Sequence, residues 1–213
     1  MSFEAELQLV LPADLPRREI VAAKAAEHLA LIEEANRHFN LTRITGEREA
    51  AIKHIVDSIM PWRLFSEARH VLDAGSGPGF PGIPLALVLP DIHFTLAESI
   101  QKKARFLESS VEKLALPNVS TEPRRAEEII RGANVDVMTA RALAPLSRAL
   151  GLFAAALAPG VKLLLYKGPD VEQEMAEAAG EARKRRVRMD VVMRYELPDA
   201  QGSRTIVELG KLR

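Results

Sequence analysis

The stretch Val71-Leu72-Asp73-Ala74-Gly75-Ser76-Gly77-Pro78-Gly79-Phe80-Pro81-Gly82 constrains this chain more than any other. A short apolar run ends in a carboxylate and passes into a segment made largely of glycine and proline. That pattern predicts a buried strand, a sharp turn and the start of a helix. Glycine supplies the backbone conformations a tight turn needs and lets a ligand approach the main chain closely. Pro81 and Pro84 fall in the first turn of the helix, where amide hydrogens have no helical acceptor and a missing N–H does no harm.

Two kinds of ligand compete for such a loop. Gly77-Pro78-Gly79-Phe80-Pro81-Gly82 matches the dinucleotide fingerprint, and Glu98 stands near the spacing of a ribose ligand. Asp73 discriminates between them. A carboxylate just before the loop repels a pyrophosphate held at a helix N-terminus, and the prolines withdraw amide donors that a phosphate wants. S-adenosylmethionine carries a sulfonium and an ammonium and no phosphate, and a nearby carboxylate favours both cations. The segment therefore favours the methyl donor. A dinucleotide, and a structural turn in which Asp73 merely caps the helix, stay open as alternatives.

The rest of the chain alternates. Helices are expected over 14–39, with Asp14 as cap and Pro16 early, and over 47–60, ending at Pro61. Strands follow at 70–75, 93–98, 119–122, 135–140 and 161–166, separated by helices over 99–116 (Ser99 as cap), 142–157 (closed by Pro159-Gly160) and 169–186. Two strands at 189–197 and 204–209, with only a short loop between them, predict an antiparallel hairpin at one edge. Strands alternating with helices imply βαβ units and a parallel sheet. The pattern resembles the α/β, Rossmann-like doubly wound fold of class I S-adenosylmethionine-dependent methyltransferases, closed by a C-terminal hairpin. It divides into an N-terminal helical segment, 1–66, packed on a core, 67–213. Ligands of such sheets bind beyond the carboxyl ends of the strands. That directs attention to Asp73–Gly79, Glu98, Arg125–Glu127, Arg141 and Lys167.

Composition narrows the chemistry. With 213 residues, 47% of them hydrophobic, the chain is long enough for one substantial core. Cysteine is absent, which removes disulfides, cysteine-ligated zinc and cysteine nucleophiles. Twenty-nine basic and 29 acidic residues cancel, so any nucleic-acid affinity must come from local clusters. The densest is Arg183-Lys184-Arg185-Arg186-Val187-Arg188, although such a run is more often a solvated helix end than a nucleic-acid contact. Arg43, Arg48, Lys53, Lys102, Lys103 and Arg105 form a second candidate surface. Aromatics are sparse, and Phe80 and Trp62 are the only stacking candidates the sequence offers, each readable as a packed side chain. No apolar run is long enough to span a bilayer, and the acidic start lacks the basic region of a signal peptide, so a cytoplasmic location is expected. Metal binding and a membrane partner are not expected, and a monomer is.

Six stretches carry a family resemblance: Phe39-Asn40-Leu41-Thr42, His54-Ile55-Val56-Asp57-Ser58, Val71 to Pro84, Lys102-Lys103-Ala104-Arg105-Phe106-Leu107, Thr139-Ala140-Arg141-Ala142-Leu143-Ala144-Pro145-Leu146 and Lys167-Gly168. In this order they resemble the bacterial small-subunit ribosomal RNA guanine-N7 methyltransferase family, formerly called glucose-inhibited division protein B. The resemblance implies S-adenosylmethionine as cofactor, with contacts at Gly75, Phe80, Ala126, Glu127 and Arg141. It also implies a guanine of 16S ribosomal RNA in the small subunit as substrate. Asp73, Gly77 and Glu98 join the cofactor set from their positions in the loop and at the end of the second strand. Relatives commonly carry a shorter Asp where this chain has Glu98.

Methyl transfer from a sulfonium is an in-line displacement, and positioning supplies much of its acceleration. Guanine N7 already presents a lone pair, so no general base is required. Attack at a pyrimidine C5 would need a cysteine adduct. The Asn- or Asp-led proline motif of exocyclic amine methylation does not match Arg141-Ala142-Leu143-Ala144-Pro145. These negatives leave ring-nitrogen and oxygen chemistry, and the resemblance points to N7. Arg141 and Lys167 are the candidate catalytic residues, Arg141 as a donor to guanine or phosphate or as a brace of the cofactor pocket, Lys167 as a phosphate contact. Each also reads as a structural ion pair, Lys167 at a helix start. His54 and Asp57 share a helix face and either line the substrate mouth or form a packing pair. The alternatives are a small-molecule methyltransferase, a nicotinamide-dependent oxidoreductase and a non-catalytic ribosome-assembly factor.

Overall fold

A computed structural model describes residues 2–141, 145–157 and 160–212. Five of the expected segments become parallel strands: β1 (His70–Ala74), β2 (His93–Ala97), β3 (Val119–Glu122), β4 (Val137–Arg141) and β5 (Lys162–Lys167). β6 (Val187–Glu196) and β7 (Ser203–Lys211) form the expected antiparallel hairpin. The sheet order is β3-β2-β1-β4-β5-β7-β6, so the hairpin inserts β7 against β5 and leaves β6 at the edge. After β1 the chain builds outward through β2 and β3, then returns to the other side of β1 to lay down β4. Asp73 sits beside Leu96 of β2 on one side and Thr139 of β4 on the other. The crevice at this switch point is where ligands of open α/β sheets bind.

Alternation along the buried strands sends neighbouring residues into two layers. Val71, Phe94 and Leu96 face one layer and Leu72, Met138 and Leu163 the other. The first layer holds α1 (Phe3–Val10), α2 (Arg18–Asn36), a helical run made of α3 (Glu47–Ala50), a π-helical stretch (Ala51–Val56) and α4 (Asp57–Ile59), then α5 (Gly82–Val88) and α6 (Gln101–Lys113). The second holds α7 (Ala126–Ile129), α8 (Leu146–Phe153) and α9 (Val171–Arg185).

Several boundaries differ from expectation. α2 begins at Arg18, not near Asp14: Asp14 is engaged by Arg63 at 2.8 Å, and the chain turns through Arg17 at φ 55° before the helix starts. Pro16 therefore precedes the helix. α1 was not foreseen; the Ser2 hydroxyl accepts from the Ala5 amide at 3.3 Å and starts it. Ser99 does not cap α6. The Glu98 carboxylate accepts from the Ile100 amide at 2.8 Å instead. The helix after β4 starts at Leu146, and the expected onset at Ala142 and stop at Pro159 lie outside the described residues. Among the described residues no helix is long and apolar enough to cross a membrane.

Candidate active site

The glycine loop spends its amides on its own main chain, on the end of β2 and on two carboxylates. Gly75, Gly77 and Gly79 take φ of 71°, 58° and 110°, which side chains with a Cβ resist. The amides of Gly75 and Ser76 donate to the Ala97 carbonyl at 2.9 and 3.1 Å, and those of Gly79 and Phe80 to the Ser76 carbonyl at 2.8 and 2.9 Å. The Gly77 amide donates to Glu98 Oε2 at 3.1 Å and the Gly82 amide to Asp73 Oδ2 at 3.0 Å. Positions 78 and 81 are prolines. From 75 to 82, every amide is thus either absent or already donating. Gly82 is required by contact: a Cβ there would lie 2.2 Å from Leu96 Cδ2.

Asp73 and Glu98 hold this loop from beneath. Asp73 is fully buried; one oxygen accepts from Gly82 at the start of α5, and Oδ1 has no partner. Burial pushes its carboxyl up to about 7, against the pull of Ser76, the Gly82 amide and Arg141. The capping alternative weighed from sequence is thus visible for Oδ2. Glu98 spends one bond of each oxygen on the backbone, at Gly77 and Ile100, which leaves each oxygen a second lone pair for a ligand hydroxyl.

Beside the loop lies a cleft of about 190 Å³ whose lining includes Gly75, Ser99, Arg125, Ala126, Glu127 and Arg148. Three predicted cofactor residues, Gly75, Ala126 and Glu127, therefore meet across one opening. Phe80 faces away from it. Its ring is buried and stacks on His54 at 4.5 Å and 8°, with the Arg141 guanidinium 5.0 Å from its centroid.

Arg141, at the end of β4, reaches into the π-helical stretch. In a regular α-helix the Asp57 amide would bond to the Lys53 carbonyl; here it bonds to Ile52, and Arg141 Nη1 donates to Lys53 at 2.8 Å. The guanidinium also lies 3.6 Å from Asp57 and 3.5 Å from His54 Nδ1. Burial lowers its pKa while Asp57 opposes that shift. His54 is held down to about 3, first by burial and then by Arg141, so it is neutral. With Nδ1 facing the guanidinium, Nε2 carries the hydrogen toward Thr42 Oγ1 at 3.0 Å. Lys167 is nearly buried and pairs with Glu174 at 2.6 Å; Glu174 also accepts from the Leu146 amide at 3.1 Å. This is the helix-start ion pair that the sequence left open.

Sequence reasoning missed the company these residues keep. Asp57 does not pair with His54. It accepts from Tyr195 at 3.0 Å and Arg204 at 3.2 Å, both on the hairpin. His28 of α2 donates from Nε2 to the Pro78 carbonyl at 2.8 Å, and burial lowers it to about 4. Partners 50 to 147 residues apart leave no local pattern to read. The basic run 183–188 is not near the cleft. It ends α9 and begins β6, at the amino end of the parallel strands, and Arg185 and Arg188 are paired with Glu181 and Glu208.

Comparison with known proteins agrees with this geometry. The family model for rRNA small subunit methyltransferase G matches residues 21–204. A ribosomal RNA small subunit methyltransferase G of Solibacter usitatus is 64% identical over 209 residues, covering 98% of this chain and 100% of that protein. One of Carboxydothermus hydrogenoformans is 35% identical over 189 residues, covering 86% and 80%. Among solved structures, a mutant of MtNAS in complex with S-adenosylmethionine shares the fold at TM-score 0.60 and 16% identity, covering 99% of this chain and 84% of that one. The sheet order, the glycine loop and these matches over nearly the whole length lead to one assignment: the chain belongs to the rRNA small subunit methyltransferase G family.

Proposed function

We infer that the protein transfers the methyl group of S-adenosyl-L-methionine to N7 of a guanine in 16S ribosomal RNA of the small subunit. The observation that carries the choice of cofactor is the loop's amide inventory. A pyrophosphate needs free N–H groups, and residues 75–82 have none to give. Two carboxylates, Asp73 and Glu98, are hydrogen-bonded to the loop's own amides, and their negative charge disfavours a phosphate. A ligand without phosphate and with positive charge suits this loop, and the partnerless Asp73 Oδ1 is a buried acceptor that a cation stabilises. Bound there, the cofactor supplies an electrophilic methyl on sulfur.

The chain's own residues bind and orient. Glu98 offers its remaining lone pairs to ribose hydroxyls, and Ala126 and Glu127 line the cleft for the base. Asp73, sealed under the loop, acts as a charge beneath it. Phe80, packed against the neighbouring His54 and Arg141 side chains, fixes the loop's far wall. No side chain need take a proton from guanine N7, whose lone pair is free. The neutral His54 fits a site that positions without acid–base work. Arg141 and Lys167 act chiefly as positioning residues in this reading, Arg141 through the loop wall and Lys167 through Glu174 and the start of α8. Residues 1–66 serve as a brace on the 67–213 core. One chain carries every residue named, so a monomer suffices, and the substrate places the protein in the bacterial cytoplasm.

Mass spectrometry of 16S ribosomal RNA from cells with and without the gene tests the reading. A single guanine should lose 14 mass units on deletion, about one methylene, and regain them on complementation. Unaltered RNA would reject it and favour a small-molecule acceptor.

A further inference from the structure

Two of the stretches that resemble the family take no part in the cofactor site. Phe39 and the segment 102–107 meet on the surface where α2 ends and α6 begins. Phe39 and Phe106 stand edge to face at 6.5 Å, both half-buried, and the Lys102 ammonium lies 4.2 Å from the centre of the Phe39 ring. Together with Gln101 and Arg105 they line an open groove of about 560 Å³. Ile100, the residue before α6, is 53% exposed beside it.

The charge here is arranged against helix stability. Cations destabilise a helix N-terminus, where the backbone dipole is already positive, and acids normally occupy the first turn. α6 has no acid in its first turn and carries Lys102, Lys103 and Arg105 in its first five residues. Among the described residues none of the three has a carboxylate within ion-pair distance, whereas Arg124, Arg125, Arg185 and Arg188 all do. The positive potential is left for something outside the chain. α6 also starts three residues beyond Glu98, at the carboxyl end of β2, on the cofactor side of the sheet.

The groove is tied to the cofactor loop. Asn36 Oδ1 accepts from the amides of Leu41 and Thr42 at 2.8 and 3.2 Å, which sets the turn after Phe39. Thr42 meets His54, and His54 stacks on Phe80. Aromatic faces beside unpaired cations suit a flexible, polyanionic strand of stacked bases.

We propose that Phe39, Phe106, Lys102 and Arg105 form a subsite for single-stranded ribosomal RNA next to the target guanine, with one flanking base on the aromatic pair and its phosphates on the two cations. The proposal rests on the ribosomal RNA reading above.

The test uses full-length protein and small subunits from a strain lacking the gene. Phe39→Leu/Phe106→Leu keeps apolar volume and removes both rings. It should raise KM for subunits about tenfold, in the range that losing one base–aromatic stack gives, with kcat within twofold. Lys102→Gln/Arg105→Gln should reduce the slope of log affinity against log salt by about 1.4, the value for two single-strand phosphate contacts. S-adenosylmethionine affinity by calorimetry should stay unchanged in both, which also reports the fold. A KM within twofold and an unchanged slope would overturn the subsite while leaving the methyltransferase reading intact. No incorporation by the unaltered protein would instead remove that reading, and the subsite with it. Photocrosslinking from p-benzoylphenylalanine at position 106 distinguishes the partner: a crosslink to RNA is expected, and one to a ribosomal protein alone would overturn the assignment.

Discussion

Asp73 is the residue on which pH should act. Its carboxyl ordinarily titrates near 3.8 and is pushed up to about 7 by burial. The folded protein therefore holds a proton that the unfolded chain releases across that interval. The contribution to stability is complete below about 3.8 and is lost as pH rises through about 7, a difference of roughly 4 kcal/mol across the window. Denaturant titrations from pH 4 to 8 should show this decline, and Asp73→Asn should remove it. Equal slopes for the two proteins would mean that Asp73 is ionised throughout. A cationic ligand favours the charged form, so the affinity for S-adenosylmethionine should rise through pH 7 with net proton release. Calorimetry at pH 6.5 in two buffers of different ionisation enthalpy reads that release directly, and equal apparent enthalpies would count against the electrostatic role assigned to Asp73.

At the level of elements, the strands and their glycine turn were legible because buried parallel strands are continuous apolar runs and their ends carry the polar residues. The elements that hold the site were not. The π-helical stretch Ala51–Val56 has no composition of its own, and it exists here together with a guanidinium from β4 that bonds to the Lys53 carbonyl. Asp57, Tyr195 and Arg204 find each other across most of the chain. Arg141 was legible from its place at a strand end as a site residue or a brace of the pocket, but the Lys53 carbonyl and Asp57 carboxylate that it braces were not. That role is separable from charge. Arg141→Lys keeps one cation but loses the planar fork that reaches Lys53, Asp57 and the Phe80 face together. It should cost about 2 kcal/mol in urea denaturation and lower kcat more than it changes KM for subunits. Wild-type stability with a raised KM alone would place Arg141 on the RNA rather than in the brace.

Over the whole molecule, sheet polarity sorts the positive charge into two ends. β5 delivers Lys167 to the cofactor end, α9 runs back along the sheet, and β6 starts at the opposite end. The run 183–188 is thus an α9 C-terminus, where basic side chains complement the helix dipole and Arg186 closes the helix at φ 55°. Arg185 pairs with Glu181, Arg188 bridges Asp190 and Glu208, and Lys211 donates to the Arg185 carbonyl at 3.0 Å. These contacts join α9 to the hairpin, which in turn reaches the front segment through Arg204 and Asp57, and through Arg48, which binds both Glu6 and Asp199. With net charge zero, the density of this run made it the leading RNA candidate in the sequence. The fold turns it into a structural joint. Arg185→Gln/Arg188→Gln should therefore lower stability by about 1 kcal/mol, since the pairs are partly exposed, and leave the salt slope of subunit binding unaltered. A slope reduced by the same amount as in Lys102→Gln/Arg105→Gln would show that RNA wraps to the far end of the sheet, and the division of charge argued from strand direction would fail.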